Sequence, residues 1–142
     1  MRADHAVPFA SQRGLALLGT GAIAGLLSIN RIATTSRYAT NAQALAQSAI
    51  DRILAVPFST TGPPPAELDP GTTTLPGVPI YVDPASGNVV LTGTVQTTLT
   101  DVSRPIVPGA LPPPLRHARV SVTYFAAGKN HNFTLQTVRA AD

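Results

Sequence analysis

The residues of this chain that could do chemistry are few and lie far apart in the sequence. It has no cysteine, so disulfides and thiolate metal sites are excluded. None of the motifs HExxH, GxSxG or SxxK is present. The isolated titratable residues are His5, His117, His131, Asp69, Asp83 and Asp101. We therefore predict that the chain is not an enzyme and holds neither a metal nor a cofactor.

One short glycine pattern imitates a nucleotide site. Gly19, Gly21 and Ala24 match the GxGxxA form of the dinucleotide-binding fingerprint. That fingerprint works only in a parallel βαβ unit with an acidic residue about 20 positions later. Here a helical pattern continues to Ala55 and no second strand follows, so we predict no nucleotide. Gly21 and Gly25 form either a small-xxx-small face for helix–helix assembly or merely small residues in an apolar run.

The composition points away from a free globular protein. Only 12% of the 142 residues are charged and 5% are aromatic, the former about half the usual share. Low charge is easier to accept in a chain that hides surface in a membrane or a polymer. The net charge of +3 comes from dispersed arginines, whereas nucleic-acid binders cluster basic residues. We predict no nucleic-acid partner.

The elements that must position everything else are at the N-terminus. Residues 1–14 form a polar, leader-like segment whose Arg2 and Arg13 would hold that end on the cytoplasmic side. Residues 15–30 are apolar, and no charge lies between Arg13 and Arg31. Their length is at the short edge for a transmembrane helix. A buried core helix and a cleaved secretory signal are the alternatives, although Asn30-Arg31-Ile32 does not resemble a signal cleavage site.

Residues 31–58 continue the helix in amphipathic form. Apolar residues recur with helical spacing on one side, namely Ala42, Leu45, Ala46, Ala49, Ile50 and Ile53. Pro57 ends the helix because it lacks an amide donor. A single helix over 15–56 would be about 60 Å long, so something outside the chain must cover part of it.

The rest of the chain, residues 59–142, predicts a small antiparallel β domain with proline-rich loops at 59–78 and 103–114. The strand candidates are 79–83, 88–92, 95–102, 118–125 and 132–138. A six-residue loop around Gly128 is expected between the last two, and Asp83–Gly87 is expected to turn between the first two. We predict an α+β fold in which the helix covers the apolar face of the sheet. The expected helix–sheet contacts join Leu45, Ala49 and Ile53 to Val120, Val122 and Leu135.

In order and spacing, these segments resemble the type IV pilin-like family, particularly minor pilins and type II secretion pseudopilins. Arg13-Gly14 followed by Leu15 resembles the end of a prepilin leader and the first mature residue. NAQALAQSAIDRILAVPF (41–58) is similar to the segment that ends the helix in minor pilins. HARVSVTYFAAGKNHNFTLQTVRA (117–140) resembles their paired strands. The resemblance covers most of 14–58 and 95–140.

The resemblance implies a structural subunit that sits in the inner membrane as a single-pass protein, with its C-terminal domain in the periplasm. A prepilin peptidase would cleave between Gly14 and Leu15, and other pilin-like subunits would then be its partners in a filament. Gly19 stands where the family has a glutamate associated with methylation and recruitment of the next subunit. Some tip-type pseudopilins also lack it. The alternative is a single-pass anchored periplasmic or surface domain that binds a ligand and does not polymerise.

Overall fold

A computed structural model of the chain describes residues 10–59, 61–103 and 114–141. In the N-terminal helix it describes the backbone from residue 10 and the side chains from Ile23 onward. Within these described residues there are one α-helix, one short 3₁₀ helix and four strands. The elements are α1 (Ala10–Ala55), the 3₁₀ helix Ala66–Leu68, β1 (Gly71–Val82), β2 (Val89–Asp101), β3 (Leu115–Ala126) and β4 (Lys129–Ala140). The chain divides into two compact units, Met1–Ser36 and Arg37–Asp142, and α1 contributes to both.

Helix α1 ends where the sequence predicts. Its last residue is Ala55, and Pro57 follows two positions later. It begins at Ala10, so the end of the leader-like segment 1–14 is helical, while residues 1–9 lie outside the described part. Within the helix, the hydroxyls of Thr34 and Thr35 donate to the carbonyls four residues earlier, at 2.8 and 2.9 Å. Such back-bonding satisfies polar groups without breaking the helix.

The sheet is a meander in the order β1-β2-β3-β4, with every neighbouring pair antiparallel. The turn between β1 and β2 is closed by a 2.8 Å bond from the Gly87 amide to the Asp83 carbonyl. Gly87 has a φ of 70°, as the turn chemistry requires. The expected six-residue loop between the last two strands is wrong. Only Ala127 and Gly128 separate the two strands, and both have positive φ. Two central residues with positive φ form a tight two-residue turn, whose twist matches that of the strands in a hairpin.

Two further strand predictions need correction. β1 begins at Gly71, inside the segment 59–78 that was predicted to be a loop. Proline is tolerated there because β1 is an edge strand. The candidates 88–92 and 95–102 are parts of one strand, β2, which continues through Gly93. The second predicted loop, 103–114, lies almost entirely outside the described residues.

The second unit, residues 37–142, has the α+β arrangement that the sequence predicts, with the helix packed on one face of the sheet. Residues of that face alternate along β3 with exposed ones. The core is mostly aliphatic; it comprises Ala42, Ala46, Ile50, Ile53, Phe58, Leu68, Ile80, Val95, Leu99, Ala118, Val120, Val122, Tyr124 and Ala126. Alanine at positions 42 and 46 lets the helix approach the sheet closely.

One charged side chain enters this core. Arg116 is only 6% exposed, and its Nη1 lies 2.7 Å from Oδ2 of Asp101. Its Nε donates to the Leu68 carbonyl at 3.1 Å, and its guanidinium lies 5.8 Å from the centroid of the Phe58 ring. Because the charge has a carboxylate, a carbonyl and a ring around it, its burial is compensated. Arg116 thereby ties β3 to the segment that follows the helix.

Candidate assembly surface

The described part of the first unit is an exposed apolar helix. Five large aliphatic side chains are between 58% and 67% exposed: Ile23, Leu26, Leu27, Ile29 and Ile32. The sequence has no charged residue between Arg13 and Arg31, and Arg31, next to Ile32, is the one charged residue within this stretch. Soluble monomers rarely leave contiguous apolar surface of this kind open to water. We call residues 23–32 the apolar segment.

The apolar segment is not a single stripe. At about 100° per residue, Leu26 and Leu27 fall on the side of Ile23, whereas Ile29 and Ile32 fall on the opposite side. The polar side chains of Ser28, Asn30 and Arg31 lie among them. Because the large aliphatic side chains point in more than one direction around the helix, a partner docked on a single face would leave some of them uncovered.

The glycines proposed for helix–helix assembly lie in this region. Gly25 has no heavy atom within 4 Å of the position that a Cβ would take, so a neighbouring backbone could approach it closely. Gly21 falls in the part of α1 for which only the backbone is described. Gly14 and Leu15, the proposed cleavage pair, lie there too, inside α1.

The predicted helix–sheet set lies at the packed face of the second unit, at two depths. Ile53, Val120 and Val122 are buried. The others, Leu45, Ala49 and Leu135, are half-buried and pack against the core. On the helix the innermost positions are Ala42, Ala46 and Ile50, which belong to the same predicted stripe.

Sequence reasoning missed one hydrogen bond and one aromatic contact that join the helix to the edge strand β1. The Asn41 side-chain amide donates to the Ile80 carbonyl at 2.8 Å. One turn earlier, the Tyr38 and Tyr81 rings lie 5.4 Å apart between centroids. The signal was available in part, since Tyr38, Asn41 and Leu45 share one helix face. Their partners were not predictable, because the register of β1 does not follow from the sequence pattern.

The described histidines have structural surroundings. His131 is stacked on Tyr124 with 5.0 Å between ring centroids, and its Nε2 lies 3.2 Å from the Ala126 carbonyl. Nε2 of His117 lies 3.1 Å from Oε1 of Gln136. Burial raises the pKa of Tyr124. Among the described residues, no three histidine, aspartate or glutamate side chains come together as a metal site would need.

Two aspartates have lowered pKa values for local reasons. A hydrogen bond from the Ser86 hydroxyl at 2.6 Å is the main cause of the lowered pKa of Asp83. For Asp101, hydrogen bonding from Ser103 is the main cause and the charge of Arg116 adds to it. Both carboxylates serve turn and strand-end structure.

Within the described residues, no helical stretch combines the length and the hydropathy that crossing a bilayer requires. Comparison with protein-family models, with curated proteins and with solved structures found no match to this chain.

Proposed function

We propose that this chain is a structural subunit of a pilin-like filament, as a minor pilin of a type IV pilus-like assembly or a pseudopilin of a type II secretion filament. Residues 15–30 would hold it in the inner membrane before assembly and contact other subunits afterwards. The observation that carries the proposal is the apolar segment 23–32, whose large aliphatic side chains are exposed on more than one side of the helix. Lipid and a bundle of neighbouring helices are the two environments that satisfy such a surface.

The second unit supports the same proposal. It supplies a helix packed on a small antiparallel sheet, the architecture that the sequence resemblance implies. The described side chains of its core, turns and strand ends serve to hold this domain together. A subunit whose task is assembly needs an exposed contact surface carried on a stable domain, and these two features are present.

Processing of the leader tests the proposal directly. In cells with an active prepilin peptidase, we expect the mature protein to begin at Leu15 and to copurify with sheared filaments. A Gly14→Leu variant, altered on the leader side of the same bond, should keep its original N-terminus and stay out of filaments. Intact wild-type protein in such cells, with none in the filament fraction, would instead favour the anchored, non-polymerising domain.

The apolar segment can be tested with a matched pair of substitutions. Leu26→Asp places a carboxylate in the segment, where an unpaired charge costs about 2.5–3.5 kcal/mol in a membrane. Gln43→Asp makes the same change in charge at an exposed polar position of the same helix. We expect Leu26→Asp to reduce membrane-bound and filament-bound protein at least severalfold and Gln43→Asp to leave both unchanged. Equal behaviour of the two variants would contradict the proposal.

We further propose that the subunit is a minor component. Gly19 replaces the glutamate that, in the resembling family, is associated with recruiting the next subunit. A chain without that carboxylate needs no charge partner in an apolar filament core, which suits a tip or initiating position. Loss of the gene product should then reduce the number of filaments more than it alters their structure. Cryo-EM of a fibre built wholly from this chain would refute the minor role.

A further inference from the structure

The two edges of the sheet are built differently. The β1 edge contains Pro76 and Pro79, and its pairing with β2 has register shifts on both sides of Pro79. Prolines and bulges are the usual means of protecting an edge from pairing with other chains. β4 pairs with β3 without interruption from Lys129 to Ala140, and within the described residues no strand pairs with its other side.

The sequence of β4 adds to this difference. Between Lys129 and Arg139 it has no proline and no lysine, arginine, aspartate or glutamate. Its residues NHNFTLQTV include several with high β-propensity. A long, regular edge strand without charges or bulges offers a row of backbone donors and acceptors to another strand. The edge of β4 is therefore suited to accept one.

The first half of β1 has the complementary properties. Residues Gly71–Leu75 pair with β2 without a shift and contain neither proline nor charge. Leu75 lies opposite Val95, a buried core residue, yet is itself 55% exposed. An apolar side chain on the core-facing side of the sheet thus lies uncovered at its margin.

We propose that Gly71–Leu75 of one copy pairs with the free edge of β4 in a second copy, extending the sheet head to tail. β1 is antiparallel to β2, β2 to β3 and β3 to β4, so a further β1 beside β4 keeps the sheet antiparallel. Residues that lie opposite one another across the four strands form rows, and Leu75 shares a row with Phe133, as Thr74 does with Thr134. If the second copy keeps this register, Leu75 of one copy lies beside the half-buried Phe133 of the other, and Thr74 lies beside Thr134. Cross-strand pairs of these kinds stabilise antiparallel sheets.

Charge selects this pairing over a symmetric one between two β4 strands. Gly71 lies in the row of Leu99, Ala118 and Thr137, so Asp69, two residues earlier, falls toward the row of Arg139. Opposite charges meet at that end. An antiparallel pair of β4 strands would instead bring Lys129 of each copy toward Arg139 of the other, and like charges across strands are destabilising.

The contact is heterologous, because different surfaces of the two copies meet, and it can therefore repeat into an open chain. It uses only the second unit. It does not depend on the proposed function, since it requires neither leader processing nor the apolar segment.

The absence of cysteine from the chain permits a clean cross-linking test. Thr74→Cys and Thr134→Cys variants of the full-length protein, purified in a mild detergent, are mixed under a gentle oxidant. Thr100→Cys replaces Thr74→Cys in the control mixture, since Thr100 is exposed on β2 but not at an edge. We expect the 74–134 disulfide to form about tenfold faster than the 100–134 disulfide, because pairing raises the effective concentration of the thiols.

Adding Leu75→Lys to the Thr74→Cys variant should return the rate to that of the control, since lysine at an edge opposes pairing. Leu75 is exposed, so this change leaves the unit's own core intact. Equal rates in the two mixtures would overturn the proposal. So would an undiminished rate with Leu75→Lys, or faster coupling of Thr134→Cys to itself, which would indicate symmetric β4 pairing. None of these results depends on whether the chain enters filaments.

Discussion

Gly93→Ala should be among the most damaging small changes to the second unit. A Cβ at Gly93 would lie 2.5 Å from Cδ1 of Ile80, 2.6 Å from the carbonyl oxygen of Thr123 and 3.2 Å from Cβ of Tyr124. Carbon contacts are favourable at about 3.5–4.0 Å, so the first two contacts overlap by about an ångström. Ile80 is buried and has little room to turn, and the Thr123 carbonyl belongs to the neighbouring strand.

Relief must come from moving β2 away from β3, against the spacing that their hydrogen bonds impose. Overpacking typically costs 1–3 kcal/mol, and we expect about 3 kcal/mol here because one obstacle is backbone. For a unit of about 100 residues this lowers the melting temperature by about 12 °C or more. Gly71→Ala is the matched control, since it is also a strand glycine but has nothing within 4 Å of its Cβ position.

Thermal and urea unfolding of the full chain, followed by circular dichroism, measure both variants. Gly71→Ala should unfold within about 0.5 kcal/mol of the wild type, as surface substitutions usually do. If Gly93→Ala also unfolds within that margin, β2 and β3 do not approach each other as closely as described, and the reasoning fails.

Substitutions at Arg116, Asn41 and Asp101 test polar contacts of the second unit. Arg116→Met should lower the free energy of unfolding by about 2 kcal/mol, because a charge-assisted hydrogen bond and an ion pair are lost, and Arg116→Lys should restore only part of it. Asn41→Ala should cost about 1 kcal/mol through loss of its bond to the Ile80 carbonyl, while Gln43→Ala at an exposed site should be neutral; denaturant unfolding checks these four. Since the pKa of Asp101 is lowered in the fold, its contribution is present above the unfolded pKa and lost as the pH falls through the folded one. The stability difference between wild type and Asp101→Asn should therefore shrink as the pH falls below the unfolded pKa of an aspartate, about 3.9, and a constant difference in unfolding titrations would contradict this.

Helical periodicity was the most informative signal in the sequence. The six residues of the stripe from Ala42 to Ile53 are all buried or half-buried, because one face of a regular helix is fixed by spacing alone. The end of the helix at Ala55 was predictable for an equally local reason, the proline at position 57.

The strands were less predictable where glycine or proline interrupts them. The strand candidates 88–92 and 95–102 left out Gly93, yet it lies within β2. A glycine is present there because no larger residue fits beside the Thr123 carbonyl. The first half of β1 was not predicted because Pro76 and Gly77 are typical of a loop. An edge strand such as β1 nevertheless tolerates proline and bulges. Ala127 in a left-handed conformation closed a tighter hairpin than its residue type suggests. These outcomes depend on the neighbouring strand, which no local pattern contains.

The surface features divide in the same way. Most of the exposed aliphatic residues of the apolar segment belong to the run between Arg13 and Arg31, which has no charged residue. They were predictable from the sequence, because this run is not required for the core of one small unit. The unpaired edge of β4 was not predictable from the sequence pattern. The strand order is needed to show which strands lack a second neighbour.

The distance along the chain between the helix and its cover affects how the protein is made. Ala42–Ile53 leave the ribosome first, whereas Val120 and Val122, which complete the core, follow about 70 residues later. At about 5–20 residues per second, the apolar face of the helix stays without its sheet for several seconds during synthesis. The meander itself can form quickly, since each strand pairs with the one made just before it. The nascent helix is therefore the part of this chain that most needs protection from aggregation, by a chaperone or by early contact with a membrane.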